Sequence, residues 1–176
     1  NVYRGWHRVE KGPGHSGVLS THMYLNYFYN GRRWAQRTFE SFLCHETVPD
    51  FELLDEHPVE VPVSYRTHPD AEADINVNSG RACAACHLQL DGLSRVKDRW
   101  DNFGQYYPVG YGNQPTPQTA IFLGEEVDGL GAFGDALGRS EVFADCAANQ
   151  MWEHLTGHRF EPHETELRRD LGSDFI

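Results

Sequence analysis

Residues 83–87 read Cys83-Ala84-Ala85-Cys86-His87, and no other stretch constrains the fold and chemistry of the chain as tightly. Two thiols three positions apart reach the two vinyl groups on one edge of a porphyrin, and the imidazole that follows falls under the iron as an axial ligand. This is the spacing of c-type haem attachment. A Cys-x-x-Cys pair has other uses: half of a zinc site, completed here by Cys44 and Cys146, or a redox dithiol. Zinc knuckles bring two close pairs together, whereas Cys44 and Cys146 are distant from each other in sequence. A thioredoxin-type dithiol follows a strand in a βαβ pattern, which is not visible here. We therefore expect one covalent haem c on Cys83, Cys86 and His87.

A chain of 176 residues is long enough to bury one core, as a single domain or a tight pair of subdomains. With 17 Gly, 9 Pro and 12% aromatic residues, short helices joined by long structured loops are expected. The formal charge of −11, from 26 acidic and 15 basic residues, argues against a sequence-independent grip on nucleic acid, which needs a basic face. It equally disfavours an anionic membrane surface. A basic redox partner fits that charge, and so does plain surface solvation. No run of 18 apolar residues is present, so no membrane span is expected. The chain opens at Asn1 with no visible signal peptide. Haem attachment to this motif takes place after export, so the expectation is a mature or trimmed chain in the periplasm or outside the cell, where disulfides persist.

Along the chain, the pattern predicts a short helix after Ser16, ended by Asn30-Gly31, and a strong helix from Arg32 to His45 with Phe39, Phe42 and Leu43 in its apolar stripe. Residues 49–69 carry Pro49, Pro58, Pro62 and Pro69 and read as coil over the core. After a polar stretch to Gly80, the helix bearing the motif continues through Leu90, Leu93, Val96 and Trp100 to about Gly104. Residues 105–119 read as a long loop. Residues 126–138 read as a weak helix broken by four glycines. The last strong helix runs from the Ser140 cap to Gly157, with Phe143, Cys146, Ala147, Met151 and Leu155 facing inward. Residues 159–176 form a charged surface tail.

Three blocks in this order resemble the cytochrome-c-like domains of large planctomycete-type secreted proteins. The first joins Gly17-Val18-Leu19-Ser20 and Arg32-Arg33 to Phe42-Leu43-Cys44. The second is the haem motif followed by Asp91-Gly92-Leu93, Trp100-Asp101 and Gly104. The third runs from Gly138-Arg139-Ser140 through Phe143, Cys146 and Gln150 to Leu155-Thr156-Gly157-His158. Gly92 stands where that family usually has Pro, and His158 where it usually has Arg. The resemblance spans about residues 16–158 and implies a mainly α fold, with cytochrome-c-like helices around one covalent haem. On this reading residues 1–176 are one haem domain, divided into N-terminal helices and a Pro-rich loop (1–80), motif helix and C-terminal helix (81–158), and surface tail (159–176). Beside it, Cys44 and Cys146 read as a disulfide between the two strong helices, closing a loop for which chain entropy gives about 4–5 kcal/mol. Two buried thiols, or extra metal ligands, are the alternatives.

The group opposite His87 decides between an electron carrier and a catalyst. From Leu88 to Gly138 there is neither Met nor His, so the ligand comes from elsewhere or is absent. Met23 is the first candidate, with His22, Met151 and His154 as alternatives. Arg81, Arg95 and Arg99 are candidates for the haem propionates, and Trp100, Tyr106, Tyr107 and Tyr111 for packing on the porphyrin. The expected function is one-electron transfer by a monohaem c-type cytochrome, in a larger assembly or multidomain protein. A haem enzyme or sensor with an open distal site, peroxidase-like in chemistry, is the alternative, and a structural subunit stapled by its haem is a third reading.

Overall fold

Asn30 caps a helix of 12 residues. In the computed structural model, which describes residues 14–46, 66–67, 81–109 and 118–173 (backbone alone for 81–85 and 162), its Oδ1 accepts from the backbone N–H groups of Arg32 and Arg33 at 3.0 and 3.3 Å. Asn30 therefore starts a helix, where the sequence pattern had it ending one. That helix, α2 (Gly31–Phe42), follows a 3-10 turn (Gly17–Ser20) and the short α1 (His22–Tyr27), whose cap is Thr21. Ser16 makes no side-chain cap bond to the 3-10 turn. Trp34, Ala35, Thr38 and Phe39 form the buried stripe of α2, at the spacing that keeps one helical face inward. Complete burial of a ring such as Phe39 contributes about 1.5–3 kcal/mol. The helix stops short of His45 because Leu43 caps it and Cys44 turns to φ 49°.

The helix carrying the motif, α3 (Arg81–Arg95), packs on α2. Leu90, Leu93 and Val96 reach the core. Thr67 enters the helix's own bonding ladder: its hydroxyl donates to Gln89 O at 2.8 Å and accepts from Leu93 N at 2.9 Å. Its carbonyl accepts from Ile121 N at 2.8 Å, so one buried threonine ties α3 to the following strand. The helix ends at Arg95, nine residues before the expected Gly104. Beyond it the chain makes successive turns, and Trp100 bridges to Tyr106 across a loop closed by Asp101. The aspartate side chain offers the backbone an alternative to helix.

A hairpin stands where no strand was expected. Strands β1 (Thr119–Phe122) and β2 (Glu125–Asp128) pair antiparallel, Phe122 opposite Glu125. Leu123 and Gly124 both hold positive φ, 48° and 88°, the geometry a two-residue hairpin loop needs. Helix α4 (Gly129–Gly138) then runs unbroken through its glycines, burying Leu130, Phe133 and Leu137. The Phe133 ring meets Phe122 edge-on at 5.0 Å and Trp34 at 6.0 Å, so hairpin, α4 and α2 share one core.

Helix α5 (Glu141–Thr156) is capped by Ser140 and stopped by Gly157 at φ 79°, as expected. It buries Ala144, Cys146 and Ala148. Met151 and Leu155 are instead 50% and 74% exposed, and on this half of the helix Trp152 packs, its ring stacked on Phe160 at 4.7 Å. The expected surface tail contains a helix, α6 (Thr165–Ser173), led in by a capping box between Glu161 and Glu164. It lies along α5, where Gly172 meets the backbone of Ala144. Six α-helices make the fold mainly α among the described residues. The expected coil at 49–69, apart from Arg66 and Thr67, the stretch 70–80 and most of the loop after Val109 lie outside the described residues.

Candidate functional site

Helix α3 places positions 83, 86 and 87 on one face, since residues three and four apart on a helix are neighbours. The side chain of Cys83 lies outside the described residues. Cys86 is half-buried and packs against the main core. His87 is similarly placed at the edge, its side chain 28% exposed.

One turn further on, Asp91 faces His87. Its Oδ2 is 2.8 Å from the imidazole Nδ1. From α2, Arg32 reaches the same carboxylate with Nε 2.5 Å from Oδ1 and Nη2 3.3 Å from Oδ2. Partial burial alone would raise the pKa of Asp91, yet hydrogen bonds from Arg32 and His87 outweigh it and hold the carboxyl below its usual range. An ionised carboxylate only accepts hydrogen bonds, so Nδ1 of His87 donates, and in the neutral ring this leaves the lone pair on Nε2. That is the form an imidazole takes when it ligates through Nε2. Among the described residues, Cys86 and His87 are the side chains of the motif that could serve as an attachment thiol and an imidazole ligand.

Asp91 and Arg32 were not singled out as site residues in the sequence. The first had a signal, a carboxylate four residues after the motif histidine. The second stands 59 positions away in sequence, and only the packing of α2 on α3 brings it in.

The other expected site residues are dispersed. Met23 is 82% exposed on α1. Its neighbour His22 stacks obliquely on Phe103, ring centres 5.9 Å apart. Met151 and His154 stand exposed on α5. Among the described residues, none of the four bonds to His87, and no group of three or more His, Cys, Asp or Glu side chains is arranged to hold a metal ion. Arg99 has its Nε buried without a hydrogen-bond partner among the described residues. Tyr106 packs on Trp100 at 5.3 Å and Tyr107 donates to Asp101. Arg81's side chain and Tyr111 lie outside the described residues.

Cys44 and Cys146 are bonded, with Cα atoms 5.4 Å apart. They pair with each other and so leave the zinc alternative without its second pair of thiolates. Gln150 Nε2 donates to Ser41 O at 2.9 Å beside the bridge. A cavity of about 580 Å³ opens there, lined by Glu40, His45, Gln150, Glu153 and Arg159 among others. It does not reach Cys86 or His87.

No protein-family model, curated protein or solved structure matches this chain. No helix among the described residues is long and apolar enough to cross a membrane.

Proposed function

We propose that the chain is a monohaem c-type cytochrome that transfers single electrons outside the cytoplasm, within a larger assembly or multidomain protein. The observation that carries this reading is the motif on α3, with its histidine ring held through Nδ1 so that Nε2 is left to ligate. Cys83 and Cys86 supply the two thioether attachments. The haem would supply the reversible ferric/ferrous couple. The core behind α3 excludes water from one side of Cys86, and the acidic surface, at net −11, suits a basic protein partner. The Cys44–Cys146 bridge supports an oxidising compartment.

A second reading, a haem enzyme or sensor with an open distal position, is favoured by one observation: both methionines, Met23 and Met151, are solvent-exposed. Met23 is the thioether the first reading would recruit. The two are separated by producing the chain with a c-type haem maturation system and recording its spectrum. A covalent haem whose low-spin spectrum ignores carbon monoxide supports the carrier, and its loss in Met23→Ala names the ligand. A shift on adding carbon monoxide supports the open site. A chain with no Soret band sinks both.

A further inference from the structure

Resting on the haem reading, we infer that Asp91, braced by Arg32, is the positioning residue for His87: it fixes the ring in its Nδ1–H form and aims Nε2 at the iron. Three features carry this. The first is the spacing. His87 and Asp91 are one turn apart on the same helix, so the backbone itself sets their separation, and the 2.8 Å contact needs no loop to hold it.

The second is the brace. A carboxylate on a helix surface can rotate about its side-chain bonds, and an intrahelical pair of this kind is weak on its own. Here both oxygens are engaged. Arg32 takes Oδ1 and also reaches Oδ2, the oxygen that His87 uses. Arg32 belongs to α2, which the core residues Trp34, Phe39, Leu90 and Leu93 fix against α3. The guanidinium therefore locks the carboxylate plane toward the ring.

The third is the electronic effect of a charged acceptor. Partners of this kind orient a ligating imidazole and make it more basic. A more basic axial ligand stabilises ferric over ferrous iron, so Asp91 lowers the reduction potential of the site. Arg32 shares the carboxylate's charge and limits that effect.

The test uses the full chain with and without haem. In the haem-free protein, ¹⁵N NMR reads the His87 tautomer. Wild type shows the Nδ1–H form, while Asp91→Ala shifts the ring toward the Nε2–H form that free imidazole side chains prefer. In the haem-loaded protein, Asp91→Asn keeps the shape of the side chain and raises the midpoint potential, and Arg32→Gln lowers it. Arg32 is exposed enough, at 56% of its side chain, for its removal to leave the fold intact. A purely structural pair would lower unfolding midpoints in all three variants without moving tautomer or potential. An attached haem with tautomer and potential unchanged in the Asp91 variants overturns the assignment and leaves the haem reading standing. A wild-type chain that takes up no haem overturns the haem reading and the assignment with it.

Discussion

Asp101 illustrates how much local structure one carboxylate organises. Its Oδ1 accepts from Phe103 N at 2.8 Å and Gln105 N at 2.9 Å, and its Oδ2 from Tyr107 OH at 3.1 Å. Desolvation pushes its pKa up, but those donors outweigh it and hold the group below the usual carboxylate range. A depressed folded-state value gives stability that is complete above the ordinary carboxylate pKa of about 3.9 and is lost as pH falls through the folded value. Asp101→Asn should lower stability at neutral pH by less than about 1 kcal/mol, because the amide keeps the acceptor at Oδ1 but loses the charge that strengthens its hydrogen bonds, an effect that solvent screens at so exposed a group. Urea unfolding should show that gap closing in acid; a gap that stays constant with pH would rule the carboxylate out as its source. At this scale the sequence was legible where neighbours along the chain do the work. The His87–Asp91 pair is an i,i+4 spacing open to reading, whereas the brace from Arg32 and the exposure of Met23 depend on how helices pack.

At the scale of elements, α4 runs against its own sequence pattern. Four glycines in residues 126–138 look like helix breakers, yet one of them is a packing requirement. A Cβ on Gly134 would collide with Ser16 Oγ and lie 2.8 Å from Ser16 Cβ. Gly134→Ala should therefore destabilise the protein, with overpacking costs of about 1–3 kcal/mol exceeding a propensity gain of about 1 kcal/mol. Adding Ser16→Gly should restore stability. If Gly134→Ala alone raises the thermal midpoint, this close approach is not what keeps the glycine. The helices with both a cap and a periodic stripe, α2 and α5, were readable to within a few residues. The hairpin was not, because four-residue strands carry too little alternation and its turn uses Leu123 at a positive φ, which no turn signal announces. The early end of α3 was hidden for a related reason. Val96 and Trp100 are buried and continue the apolar pattern, but Asp101 draws the chain into turns.

For the whole molecule, the Cys44–Cys146 bond joins the end of α2 to the middle of α5 across 102 positions. Removing it by Cys44→Ser with Cys146→Ser should lower stability by about 2–5 kcal/mol, read as a fall in denaturant midpoint. An unchanged midpoint would mean that packing of α5 already supplies the constraint. The mainly α class followed from the resemblance and the helical stripes, and the pairing of these two cysteines from the motif's claim on the other two. The shared core of hairpin, α4 and α2 was not, since it joins residues that only the folded chain makes neighbours.

The same bond has a topological consequence. Residues 44–146 form a closed covalent ring, and the motif at 83–87 lies on its circumference. Cutting one peptide bond anywhere on that ring opens it without dividing the molecule. The segments before and after the cut stay joined through sulfur, and they part only under a reductant.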